Sequence, residues 1–415
     1  MSTALDDPTQ LSERALQWLI ASASVTDEGL GWKPTHASEA IDPALYSGSS
    51  GIVMTLLEAH RHFGELHYAD VATAASRELA HAWERVDDCS LYFGLMGIAV
   101  ALQSVHEVLG GDGARSNVEK ILERVRTQFD GERWGTQFEM MGGNAGIALG
   151  ALRVGDLDLA VTAVTPYVDQ AEPTEAGVQW QHRRGVTSRL HHISHGTLGI
   201  VESLAAVGFT AKRADFIEVA LAGAADVVSR NETSDRGFLV AHSNPPYRPE
   251  LIERYSYGWC HGPTGDAQVF RVLAAVTGDS AWMQRTDDCW RTVISSGLPE
   301  RRRPGFWDNS GRCCGTAGVL ALALDRHIER GDDLSFAHVL VNDLCTRASI
   351  DSDGVRWSNY EHRVTPSDLE PQCGWAMGNA GIVRELLRFA RLTTGGSADY
   401  FVTWPDQLPI GPRFH

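Results

Sequence analysis

Three of the chain's seven cysteines, Cys260, Cys313 and Cys314, and two of its sixteen histidines, His195 and His261, share one local setting: each stands one or two residues before a glycine that begins a G-x-x-G step. Thiolates and neutral imidazoles are zinc ligands, and three protein ligands that leave a fourth position open describe a catalytic rather than a structural zinc site. A thiolate-rich set also disfavours magnesium and calcium, which take oxygen ligands. As residue types alone, His195 and His261 could each be a ligand, an acid/base group or a packed core side chain. Cys89, Cys289, Cys345 and Cys373 lack that setting and are expected to be small buried hydrophobes.

The spacing matches no zinc finger, so the case for a shared site rests on an internal repeat. A glycine pair three apart, followed at once by an apolar run, recurs at Gly48/Gly51, Gly94/Gly97, Gly143/Gly146, Gly196/Gly199, Gly262/Gly265, Gly315/Gly318 and Gly378/Gly381. Each interval accommodates two helices of about 15 to 20 residues, roughly 22 to 30 Å long, so the unit is a helical hairpin. The runs after the glycines are apolar nearly all round, as in Val319 to Leu324, and predict buried helices. Intervening segments such as Asn117 to Phe129 are amphipathic and predict an outer layer. The first and last copies keep both glycines and the apolar run, where an open solenoid would degrade into polar caps. A closed ring follows, as one domain from residue 11 to 400 with tails at 1–10 and 401–415.

In such a ring the two residues before each first glycine converge at one end. They are Tyr46 and Ser47, Tyr92 and Phe93, Met141 and Gly142, Ser194 and His195, Cys260 and His261, Cys313 and Cys314, and Ala376 and Met377. Metal-type residues occur only in the consecutive copies four, five and six. Seven helix N-termini at that end would add positive partial charge that favours anions.

Composition narrows the function classes. With 415 residues, 43% hydrophobic and 21% charged, the chain can bury a large core, and it has no run of eighteen uncharged apolar residues to span a bilayer. Its start lacks a secretory signal, which places it in the cytoplasm. A net charge of −17 argues against nucleic-acid binding, and an odd cysteine count without a signal argues for reduced thiols. The Arg301, Arg302, Arg303 run, and the segment of His182, His191 and His192 with Arg183, Arg184 and Arg189, both predict solvated loops.

The order S-H-G at Ser194, W-C-x-G at Trp259 and C-C-G at Cys313 resembles the lanthionine cyclases, the LanC and LanC-like proteins, over about Leu45 to Phe389. The block G-W-C-H-G-P-T-G from Gly258 to Gly265 is similar to stand-alone LanC-like members. The resemblance implies an all-α, (α/α)7 toroid with a zinc ion (Zn2+) at one end, held by Cys260, Cys313 and Cys314. It also implies that His261 lies beside the metal and that His195 is the catalytic histidine. Glu139 stands where many members have Asp, and Ser256 where some have Arg; the short interval from Gly94 to Gly143 leaves little room for the domain some members insert.

The implied activity is that of a zinc-dependent lanthipeptide cyclase. A peptide cysteine thiol adds to dehydroalanine or dehydrobutyrine in a dehydrated precursor peptide, with His195 protonating the resulting enolate and Glu139 and His261 as assisting groups. Dehydratase or kinase-type enzymes are the expected partners. The alternatives are addition of glutathione or another small thiol to dehydrated residues in proteins, and a noncatalytic zinc scaffold that binds peptides. A glycan-cleaving toroid would want a carboxylate pair, and no two are singled out.

Overall fold

A computed structural model describes residues 7–233, 236–302, 306–360, 369–397, 399–405 and 407. Its helices, in chain order, are α1 Pro8–Ala21, α2 Ser49–Phe63, α3 Leu66–Ala82, α4 Leu95–Leu109, α5 Asp112–Thr127, α6 Asn144–Arg153, α7 Leu157–Val164, α8 Pro166–Asp169, α9 Thr197–Ala211 and α10 Ala214–Ser229. They continue with α11 Pro263–Thr277, α12 Ser280–Ser295, α13 Thr316–Arg330, α14 Ser335–Arg347 and α15 Asn379–Thr393. The strands described are two or three residues long and pair only in twos, as short antiparallel ladders. The seven helices that begin directly after a repeat glycine are α2, α4, α6, α9, α11, α13 and α15.

One backbone manoeuvre explains why glycine recurs at both places in these motifs. A helix opens with N–H groups that have no partner of its own. Here the preceding loop returns to supply carbonyls: Ser49 N–H donates to Asp42 O (2.8 Å), Leu95 N–H to Asp88 O (2.8 Å), Thr316 N–H to Asn309 O (3.2 Å) and Asn379 N–H to Gln372 O (3.0 Å). In these four the acceptor lies six residues before the first glycine. Its carbonyl passes so close that a Cβ on Gly48 would sit 2.0 Å from Asp42 O. The second glycine makes room in the same way, since a Cβ on Gly265 would lie 1.9 Å from Trp259 O. With these first N–H groups donated to loop carbonyls, those four helices do not offer them to an anion.

The described residues gather into two compact units. One draws on residues 1–87, 97–121 and 298–403. In it α2 pairs with α3 and α13 with α14, while α15 packs against α13, α2 and α1. The last repeat helix thus lies beside the first, and Thr55 Oγ1 donates to Ala380 O across that contact (3.1 Å). Among the described residues no outer helix follows α15 in sequence, and α1 packs on it instead. It starts at Pro8 with Asp7 as its side-chain cap, so its first three residues belong to the stretch expected to be a tail. Past α15, the Phe401 and Val402 N–H groups donate to the buried carboxylate of Glu58.

The other unit draws on residues 88–96, 122–297 and 404–415. Here α6, α9 and α11 lie side by side, with α7 on α6 and α9, α10 on α9, and α12 on α11. α9 is buried without a break from Thr197 to Gly208, as its apolar run predicts. The third hairpin has a short outer arm because Pro166, which lacks an N–H, ends α7 and starts α8.

Substitution at the glycines tests this account. Gly381→Ala would place a Cβ 1.9 Å from Trp375 O and 2.8 Å from Arg312 Cβ, and should destabilise the protein by about 2 to 3 kcal/mol in urea unfolding. Gly113→Ala in α5, with no atom within 4 Å of the added Cβ, should instead gain about 0.5 to 1 kcal/mol. Equal effects at the two positions would dismiss the carbonyl return as the reason for the glycines.

Candidate metal centre and acid–base site

The loop before each repeat helix carries the chemistry, and backbone hydrogen bonds set these loops in register. Within each unit, the residue two before a first glycine donates its N–H to the carbonyl of its equivalent in the next motif of that unit. The series runs Tyr92 to Met141 (3.4 Å), Met141 to Ser194 (3.2 Å) and Ser194 to Cys260 (3.3 Å) in one unit. In the other it runs Cys313 to Ala376 (2.8 Å) and Ala376 to Tyr46 (2.9 Å). Ser194 Oγ also donates to Cys260 O (2.7 Å), which fixes the Cys260 loop twice.

Cys260 and Cys313 are buried and Cys314 is partly exposed. The Sγ atoms of Cys313 and Cys314 are 3.5 Å apart, and the three sulfurs of Cys260, Cys313 and Cys314 all lie within 4.8 Å of one another. Tetrahedral ligands at a Zn–S bond length of about 2.3 Å are about 3.8 Å apart. Donor type and spacing therefore fit a soft, thiolate-binding metal. Among the other cysteines, Cys89, Cys289 and Cys373 are buried as expected, and Cys345 is partly exposed.

His195 and Glu139 meet, with Nδ1 to Oε1 at 3.2 Å. Glu139 is fully buried, and its carboxylate accepts the backbone N–H groups of Met141 and Gly142. The His195 side chain is 36% exposed. His261 stacks against it, centroids 5.5 Å apart and planes 26° from parallel, with His261 Nδ1 3.4 Å from Ser194 Oγ. Burial, then the imidazoles of His242, His195 and His192, hold the His261 pKa well below the usual histidine range.

The segment around His182, His191 and His192 is not the solvated loop expected. All three histidine side chains are buried, while Arg183 and Arg184, with Gly185 and Thr187, are exposed and Arg189 is half-buried. His191 Nδ1 is 2.7 Å from Ala241 O, and His192 Nδ1 is 2.9 Å from the buried Asp266 carboxylate. His242 completes the cluster, 4.2 Å from His261 between ring centroids. Of the arginine run, Arg301 and Arg302 are exposed as expected, and Arg303 lies outside the described residues.

Two of these residues escaped the sequence reading. Asp266 did leave a signal, because it follows the second glycine of its motif where the other six copies have Ile or Val. His242 left none, since it lies outside every motif.

The buried histidines give a pH dependence with a definite sign. Burial above all lowers His182 and His191 to about 4 and His242 to about 3, from an ordinary 6.5. Around His242 the imidazoles of His192, His195, His191 and His182 add to the effect. These groups stay neutral in the fold but take up protons once unfolded. Their stabilisation is complete above pH 6.5 and is lost as pH falls from there toward 4. Each steepens the loss by about 1.4 kcal/mol per pH unit. His242→Met should remove one proton's worth of slope in urea titrations between pH 6 and 5; an unchanged slope would show that His242 charges freely in the fold.

Residues 39–249 and 247–340 match the family described as Lanthionine synthetase C-like protein. No curated protein sequence matches the chain. Among solved structures, nisin cyclase is similar at 15% identity and a TM-score of 0.67, over 97% of this chain and 99% of that one. The Lin0763 protein from Listeria innocua is similar at 12% identity and a TM-score of 0.52, over 94% and 99%. An unsaturated glucuronyl hydrolase from Bacillus sp. GL1 is similar at 14% identity and a TM-score of 0.51, over 95% and 100%. The likeness to nisin cyclase establishes the fold class as the all-α toroid of helical hairpins that the glycine repeat predicts. Among the described residues, no helix is long and apolar enough to cross a membrane.

Proposed function

The chain belongs to the lanthionine synthetase C-like family, and we propose that it is a zinc-dependent cyclase. It adds the thiol of a peptide cysteine to dehydroalanine or dehydrobutyrine in a dehydrated precursor peptide, closing a lanthionine or methyllanthionine ring. The observation that carries this reading is the three-sulfur group formed by Cys260, Cys313 and Cys314. These three cysteines would hold the ion. When bound, zinc makes a thiol beside it a thiolate at neutral pH, where a free thiol of pKa about 8.5 is mostly protonated.

The substrate sulfur forms its bond to the β-carbon with its own electron pair, and the π pair of the C=C bond moves toward the α-carbon and its carbonyl. The enolate then takes a proton at the α-carbon, so the proton lost by the thiol is balanced and no atom leaves. His195 delivers that proton. Glu139, itself fixed by two backbone N–H groups, engages Nδ1 and sets the ring's tautomer, which assigns the transfer to Nε2. His261, held neutral and stacked on His195, keeps the ring from tilting. A dehydrated substrate requires a dehydratase acting earlier, in the same compartment, which we take to be the cytoplasm.

Two measurements test the assignment. Replacing Cys260, Cys313 and Cys314 together by alanine should abolish the one equivalent of zinc expected by metal analysis; a folded variant that retains it would misplace the centre. His195→Ala should keep its zinc while thioether formation, followed by mass spectrometry of a dehydrated precursor, slows by about 10² to 10⁴. Near-normal turnover at full zinc occupancy would remove His195 from the chemistry.

A further inference from the structure

We infer that Tyr46 is a positioning residue for the metal centre, its phenol donating a hydrogen bond to Cys313 Sγ. The inference rests on the zinc reading above and adds a residue outside the ligand set. Tyr46 Oη lies 3.6 Å from Cys313 Sγ, within range for a hydrogen bond to sulfur. Cys313 is buried, and Tyr46 is partly so.

The geometry follows from the repeat. Tyr46 holds the same place in the first motif that Cys313 holds in the sixth. The motif between them, the seventh, carries Ala376 there. Ala376 bonds to both neighbours through its backbone, donating to Tyr46 O and accepting from Cys313 N–H. Its side chain ends at Cβ, so the phenol reaches across the intervening motif to the sulfur. A larger residue at 376 would fill that path.

Three thiolates around a divalent zinc leave a net negative centre. A phenol O–H directed at one of them draws charge from that sulfur, steadies it as a ligand and lowers its own reactivity toward an electrophilic alkene. The protein sulfur is thereby disfavoured as a nucleophile relative to the incoming substrate sulfur. Groups that hydrogen-bond to metal ligands in this way typically contribute about 10- to 100-fold in metal affinity.

The test uses full-length Tyr46→Phe, which keeps the ring and removes only the hydroxyl. Expected are an unchanged melting profile without metal, one zinc per chain, zinc affinity weakened by about 10- to 100-fold in competition with a chelator, and a shifted thiolate-to-metal band in the cobalt-substituted protein. A purely structural role for the ring would move neither the affinity nor the band. Ala376→Val, which leaves the phenol but narrows its path, should reproduce the weakening. Affinity within twofold of the parent and an identical cobalt spectrum in Tyr46→Phe would overturn the inference while leaving the zinc centre intact. A parent protein that takes up no zinc, or keeps it after Cys313→Ala, would overturn both.

Discussion

The return of a loop carbonyl over the first turn of the repeat helices, seen at α2, α4, α13 and α15, is the constraint from which the rest of this structure follows. The first N–H groups of a buried helix must find acceptors, because each left without one costs about 1 to 3 kcal/mol. These helices have no Ser, Thr, Asp or Asn cap on the glycine position, so the chain supplies backbone oxygen instead. That choice admits only glycine where the carbonyls pass. It also fixes the shape of the six residues before each helix, and with it the place of the two residues that carry the chemistry. The second glycine has a further use: the adjacent motif's side chain seats against it, as Trp375 does at Gly51 and Ile193 at Gly265. A requirement of helix capping thus becomes a register between neighbouring repeats.

Once the register is set, the scaffold is indifferent to what the rim positions carry. Tyr92, Met141, Ser194 and Cys260 are joined by the same backbone hydrogen bond, although their side chains have nothing in common. This accounts for a fold found in proteins with unrelated names. An unsaturated glucuronyl hydrolase shares the architecture at a TM-score of 0.51, and likeness of fold alone does not choose between hydrolysis of a sugar and addition of a thiol. The distinction lies in a handful of positions, three of them cysteines whose sulfurs lie within 4.8 Å of one another.

Much of this was legible in the sequence because the repeat is strict where the physics is strict. Glycine pairs marked the start of every inner helix, and the cysteines stood out by their phase. What the sequence concealed involved partners far apart in the chain. Nothing near Pro8 announces that α1 will cover α15, since packing and one hydrogen bond, from Asn379 Nδ2 to Ala15 O, join segments 364 residues apart. Nothing near Val402 announces that its N–H will meet Glu58 in α2. The histidine-rich segment misled for a related reason. Alternating with arginines, it reads as solvated, yet His191 and His192 turn inward to partners contributed by residues 241 and 266 while Arg183 and Arg184 turn outward.

That inward cluster bears on which histidine would handle the substrate proton in the proposed addition. The structure holds two histidine–carboxylate pairs built alike, His195 with Glu139 and His192 with Asp266, each joined through Nδ1 to a fully buried carboxylate. Their chemistry is equivalent on paper; their access is not. The His192 side chain is 1% exposed, whereas His195 is 36% exposed. His192 is enclosed with His242 and His261, whose pKa values burial pushes far down. A group that must meet an enolate and then regain a proton needs both a fixed ring and a route to the outside. Of the two pairs only His195 and Glu139 combine them, with His192 and Asp266 left to hold the loop on which His195 stands.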